Sequence, residues 1–124
     1  MTREIKFRAW DKDTEQGMFY GGFSIHSTGK IQSDMFNVES LIVMQYTGLK
    51  DKNGVEIYEG DIVNHLFHKE PFKVIWNEKN CSFIALYLGG RGRYSEGIKD
   101  KLLQVDNVWY EVIGNVHQNP ELLS

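Results

Sequence analysis

The chain reads as a mostly β protein, and three observations carry that expectation. Short stretches rich in aromatic and β-branched residues recur at Ile62–Phe67, Phe72–Asn77, Phe83–Leu88 and around Val108–Val116, with polar turns between them. This is the spacing of a small antiparallel barrel or sandwich. Asn53-Gly54 separates two further strand candidates and is a strong hairpin signal, because it tolerates the positive φ angles of a type I′ turn. Glu4 to Trp10 alternates, with Ile5, Phe7 and Ala9 opposite Lys6, Arg8 and Trp10, as a half-buried strand does.

In chain order, that first strand is followed by a polar turn, Asp11 to Gly17, and by an aromatic strand from Met18 to Ile25, giving a first hairpin. Gly21 and Gly22 in its middle predict a bulge or a close backbone approach. His26 to Ser33 is a second turn region, and Met35 to Ser40 is open between a loop and a short helix. Leu41 to Tyr46 is the most apolar strand candidate and leads into the loop that carries Asn53 and Gly54. Val55 to Tyr58 returns as a strand, Glu59-Gly60-Asp61 closes a second tight turn, and Ile62 begins the regularly spaced strands. Phe72, Val74 and Trp76 share one face, while Phe83 to Leu88 is apolar on both faces and reads as a central strand. Lys99 to Gln104 reads as a helical turn, and Asn119-Pro120-Glu121 supplies the cap, first-turn proline and carboxylate of a final short helix.

Composition narrows the function classes. At 124 residues the chain fits one domain, or two small lobes sharing a core, and 13% aromatic residues argue against disorder. Trp10, Trp76 and Trp109 would supply much of that core. A net charge of −3 gives no global attraction to nucleic acid or anionic lipid. A single cysteine, Cys81, fits a reducing compartment, and the charged N-terminus lacks the apolar run of a signal peptide. A cytoplasmic protein with no membrane segment and no cofactor is expected.

The strings MQYTGLKDKNGVEIYEGDIV, REIKFRAWD and YEVIGNVHQNPELL, in both ends and the middle of the chain, closely resemble the YopX family of phage and prophage proteins. The resemblance implies a phage-borne or prophage-borne protein of a bacterial host. It also implies a single domain over residues 1–124, with an SH3-like barrel in its C-terminal part and no assigned catalytic activity. The architecture expected is an N-terminal β-hairpin region, residues 1–58, packed on that barrel, residues 59–124.

Candidate chemistry is sparse. Asp61, His65 and His68, with Cys81 further on, are the nearest approach to a metal set, but on a strand His68 falls beyond the face that Asp61 and His65 share. The plainer reading has Asp61 closing its turn and both histidines at an exposed hairpin tip. Cys81 and the four histidines sit in no nucleophile elbow, and no enzyme is expected. Arg91, Arg93, Lys99 and Lys101, with Tyr94 among them, form a candidate nucleic-acid contact, diluted by Glu96, Asp100 and Asp106. The favoured reading is a noncatalytic module that binds protein or itself, with Phe36, Tyr58, Phe67, Tyr94 and Trp109 as candidate interface aromatics. Asn53, Gly54, Gly60 and Asp61 read as structural turn residues.

Overall fold

The structure, a computed structural model, describes residues 4–14, 17–66, 69–79, 81–87 and 110–123. The chain divides into two compact units, one of residues 5–45 and the other chiefly of residues 46–124, so the division falls inside a strand. Among the described residues, ten strands and two short 3-10 turns make a mostly β chain.

In the first unit, β1 (Phe7–Asp11) lies between β2 (Met18–Phe19) and the first half of β5 (Leu41–Lys50), antiparallel to both. Ala9 stands opposite Phe19 on one side and Val43 on the other. β1 is buried on both faces rather than half-buried: Arg8, Ala9, Trp10 and Asp11 are all buried. The Arg8 guanidinium is accommodated by the Tyr20 hydroxyl at 3.4 Å and the Met44 sulfur at 4.0 Å.

The expected strand from Met18 to Ile25 is two strands. β3 (Ser24–Ile25) leaves β2 to pair with β4 (Ile31–Gln32). The break falls at Gly22, whose φ of +86° suits a residue without a side chain. A Cβ there would also stand 2.8 Å from the Phe36 ring, so the backbone does approach closely. Ser33 fixes the crossing: its hydroxyl donates to the Gly22 carbonyl at 2.6 Å and accepts from the Met35 and Phe36 amides at 3.0 Å each. Asn37 then caps a single 3-10 turn, Val38–Ser40.

In the second unit, the latter half of β5 pairs with β6 (Glu56–Tyr58), from Tyr46 opposite Tyr58 to Lys50 opposite Glu56. Between those pairs three residues face one, and Gly48, at φ +92°, absorbs the bulge. β7 (Asp61–His65), β8 (Phe72–Asn77), β9 (Ser82–Tyr87) and β10 (Tyr110–Asn115) form an antiparallel sheet in the order β10-β7-β8-β9. This curled sheet agrees with the small barrel expected for the C-terminal part. β9 is apolar on both faces, with Ile84 and Ala85 both buried, yet it ends the sheet among the described residues instead of lying centrally.

Ile57, Val63, Phe72, Val74, Ala85 and Tyr110 form the core, with Leu49 and Val112 against it. Trp76 continues the Phe72–Val74 face but runs past the core and stays 43% exposed, so it is not the core residue its sequence position suggests. The C-terminal segment closes as a 3-10 turn, Pro120–Leu123, in which the Leu122 amide donates to the Asn119 carbonyl.

The loop from β5 to β6 is not a type I′ turn. Only Gly54 has positive φ, +82°; Cys81 is the sole other-than-glycine residue with positive φ among those described. The Gly54 amide donates to the Asp51 carbonyl at 3.0 Å and the Asp51 amide to the Val55 carbonyl at 2.8 Å. That is a three-residue loop, a turn followed by one left-handed glycine. No atom lies within 4 Å of where a Gly54 side chain would begin, so substitution there is limited by backbone conformation and not by space. Gly54→Val should therefore lower stability by about 1–3 kcal/mol. Gly54→Asn should cost less, because asparagine enters the left-handed region more easily. Urea unfolding of both variants checks the order.

Candidate functional site

The buried acids come first, since paired carboxylates are the usual start of chemistry. Asp51 is held in the loop just described. Its Oδ1 accepts the Asn53 and Val55 amides at 2.8 and 2.9 Å, and its Oδ2 accepts the Val112 amide of β10 at 2.8 Å. The Lys52 amide adds a bond to the Tyr110 carbonyl at 3.0 Å. The loop thus satisfies the outer edge of β10 where a neighbouring strand would otherwise be needed. Above it, Asn53 Nδ2 donates to Glu111 Oε2 at 3.2 Å, and Lys52 stands 3.9 Å from Glu111 in an exposed ion pair that contributes little.

Asp61 does similar work one turn later. Its Oδ2 accepts the Tyr58 amide at 2.7 Å, closing Glu59-Gly60. Gly60, at φ +90°, donates to the Val74 carbonyl at 2.8 Å and accepts from the Val116 amide at 2.9 Å, joining β8 to the end of β10. Asn115 organises the final turn: its Oδ1 accepts the His117 and Gln118 amides. In the first unit, Asp11 Oδ1 accepts the Ser40 hydroxyl at 2.8 Å and the Asp13 amide at 3.0 Å. The Ser40 hydrogen bond, the largest cause, holds the Asp11 carboxyl below the ordinary carboxylate range.

The histidine expectation is corrected in part. His65 is not at an exposed tip: it is 2% exposed, with its ring edge-on to Tyr110 at 5.0 Å and to Phe72 at 6.1 Å between centroids. The residue sits on the Val63 face of β7 and so points to the core. His68 lies outside the described residues. Tyr110 is fully buried; burial pushes its phenol above its ordinary pKa, and its hydroxyl has no hydrogen-bond partner among the described residues. Cys81 is exposed in the β8–β9 turn, its thiol 3.5 Å from the Glu78 carbonyl. Among the described residues no three of histidine, cysteine, aspartate and glutamate gather where they could hold a metal ion. No helix among them is long and apolar enough to cross a membrane.

The interface candidates separate. Tyr58 is 3% exposed, its ring tilted against Tyr46 at 5.4 Å, and belongs to the interior of its unit instead of its surface. Phe36 is half-buried against Phe19 at 4.6 Å. Phe67 and Trp109 lie outside the described residues, as do Arg91, Arg93, Tyr94, Lys99 and Lys101. In the second unit the exposed aromatic among the described residues is Trp76, which meets Phe83 edge-to-face at 5.0 Å across the β8–β9 pair. In the first unit, Tyr20 and Met35 are exposed, the latter on the rim of an open depression of about 380 Å³ lined also by Ser24, Gln32, Ser33 and Asp34.

Sequence reasoning placed Asp51 in the hairpin turn but missed what its carboxylate holds, and it missed the exposure of Trp76. The first was signalled by an aspartate two residues before asparagine, the spacing at which a carboxylate bonds the loop's own backbone. The second carried no local signal, since alternation assigns a face but not where the core ends.

A sequence model of the family described as YopX protein matches residues 6–124. The crystal structure of protein EF1440 from Enterococcus faecalis is similar at 27% identity and a TM-score of 0.62, over 99% of this chain and 100% of that one. Protein yopX from Bacillus subtilis is similar in fold at 21% identity and a TM-score of 0.50, over 99% of this chain and 100% of that one. No curated protein matches the chain.

Two outcomes test the acids as joints. Asp51→Ala strands three backbone donors and should cost at least about 2 kcal/mol in urea unfolding. For Asp11, a depressed folded pKa means stability fully present above about pH 4, the ordinary carboxylate value, and lost as pH falls through the folded value. Ser40→Ala removes the largest cause and brings the two values closer, so its loss of stability on acidification should be smaller than that of the wild type, as thermal unfolding at neutral and acid pH would measure.

Proposed function

This chain belongs to the YopX family, and from that premise we propose a noncatalytic accessory protein, carried by phages or prophages and acting in the bacterial cytoplasm, that works by binding protein, in the first instance a second copy of itself. One observation supports the reading above the rest: Trp76 remains 43% exposed beside Phe83, whereas Phe72 and Tyr110 in the same sheet are fully buried. An exposed tryptophan steadied by an edge-on neighbour is the residue type that dominates protein interfaces, because a large rigid surface leaves water at low entropic cost. The buried acids support the noncatalytic side, since both oxygens of Asp51, and one oxygen each of Asp61 and Asp11, accept backbone or hydroxyl donors.

Light scattering at tens of micromolar should return more than the 14.4 kDa of one chain. Trp76→Ala should weaken the association at least tenfold, about 1.4 kcal/mol, while leaving the urea midpoint nearly unchanged because the ring lies beyond the core. A monomer throughout that range, or an association indifferent to Trp76, would contradict self-binding through this surface.

A further inference from the structure

The loop that Asp51 organises also carries the one asparagine in the chain followed by glycine, Asn53. We propose that Asn53-Gly54 is a site of spontaneous deamidation, and that the carboxylate formed there loosens the loop's hold on β10. The reaction needs only water. The Gly54 backbone nitrogen loses its proton and attacks Asn53 Cγ, the new N–C bond closes a five-membered succinimide, and Nδ2 leaves as ammonia. Water then opens the ring at either carbonyl to give aspartate or isoaspartate. Glycine favours the closure because it puts no side chain beside the attacking nitrogen. The space on that side is empty as well, with no atom within 4 Å of a would-be Cβ, and Asn53 is exposed.

The loop's own bonds set the pace. The Gly54 amide must first leave the Asp51 carbonyl, 3.0 Å away, so the reaction proceeds through local opening of a surface turn. The product is what makes the site consequential. Asn53 Nδ2 donates to Glu111 Oε2 at 3.2 Å, and replacing that donor with a carboxylate oxygen sets two negative groups against each other. Asp51, whose Oδ1 accepts the Asn53 amide, adds a third. Isoaspartate further inserts a backbone carbon into a three-residue loop whose bonds at Asp51 and Val55 fix its length. The unmodified loop ties β5–β6 to β10; the modified one pushes away from it.

The full chain is incubated warm at mildly alkaline pH beside a peptide of residues 51–56, then digested and resolved by mass spectrometry into asparagine, aspartate and isoaspartate forms. The folded chain should accumulate both acid forms at residue 53 with release of ammonia, and the Asn53→Gln variant should not. Asn53→Asp should unfold at a lower urea concentration than both wild type and Asn53→Gln. A folded chain still unconverted when the peptide has reacted completely would overturn the site. An Asn53→Asp midpoint equal to that of Asn53→Gln would overturn the loosening.

Discussion

Asp51 holds together two segments 61 residues apart in sequence, and the larger unit depends on it. One oxygen shapes the loop by accepting the Asn53 and Val55 amides; the other accepts Val112 from β10. An ionised carboxylate makes stronger bonds to backbone N–H groups than a neutral acceptor does, and buried N–H groups left unmet are costly. Without this residue the β5–β6 loop loses its shape and β10 loses a partner on its outer edge. Asp61 and Gly60 repeat the solution at the next turn, where one carboxylate and one left-handed glycine join β6, β8 and the end of β10.

These commitments bear on function. A carboxylate whose oxygens already accept backbone donors has little left for proton transfer or metal binding, and the same holds for Asp11 under the Ser40 hydroxyl. His65, enclosed by Phe72 and Tyr110, adds to the core. The described surface also carries exposed apolar side chains, Trp76 beside Phe83 on one unit and Tyr20 and Met35 on the other. A surface of that kind recognises other apolar surfaces, which is why protein binding is the reading preferred for this YopX-family chain.

Much of the fold was legible in the residues. The mostly β class, the hairpins and the turn at Glu59-Gly60-Asp61 follow from local patterning, which records backbone preference directly. Positive φ at Gly54 was readable, but the turn type was not, because asparagine before glycine fits more than one loop and the Asp51 carboxylate decided between them. Met18 to Ile25 reads as one strand because its apolar residues alternate across Gly21 and Gly22; the Ser33 bond to the Gly22 carbonyl and the close approach of Phe36 to Gly22 divide it. His65 and Trp76 were misplaced for one shared reason. Alternation assigns a side chain to a face of the sheet, while burial depends on how far along the strand the opposing residues extend, and those come from distant parts of the chain.

Amide hydrogen exchange in an Asp51→Asn variant tests the clamp most directly. The substitution keeps the side chain's shape and one acceptor oxygen but turns the other oxygen into a donor. With the retained oxygen facing the loop, the Val55 amide should stay protected while the Val112 amide loses protection, its partner having become a second donor. Unchanged protection at both the Val55 and the Val112 amides would mean that Asp51 is not the joint on which the unit depends.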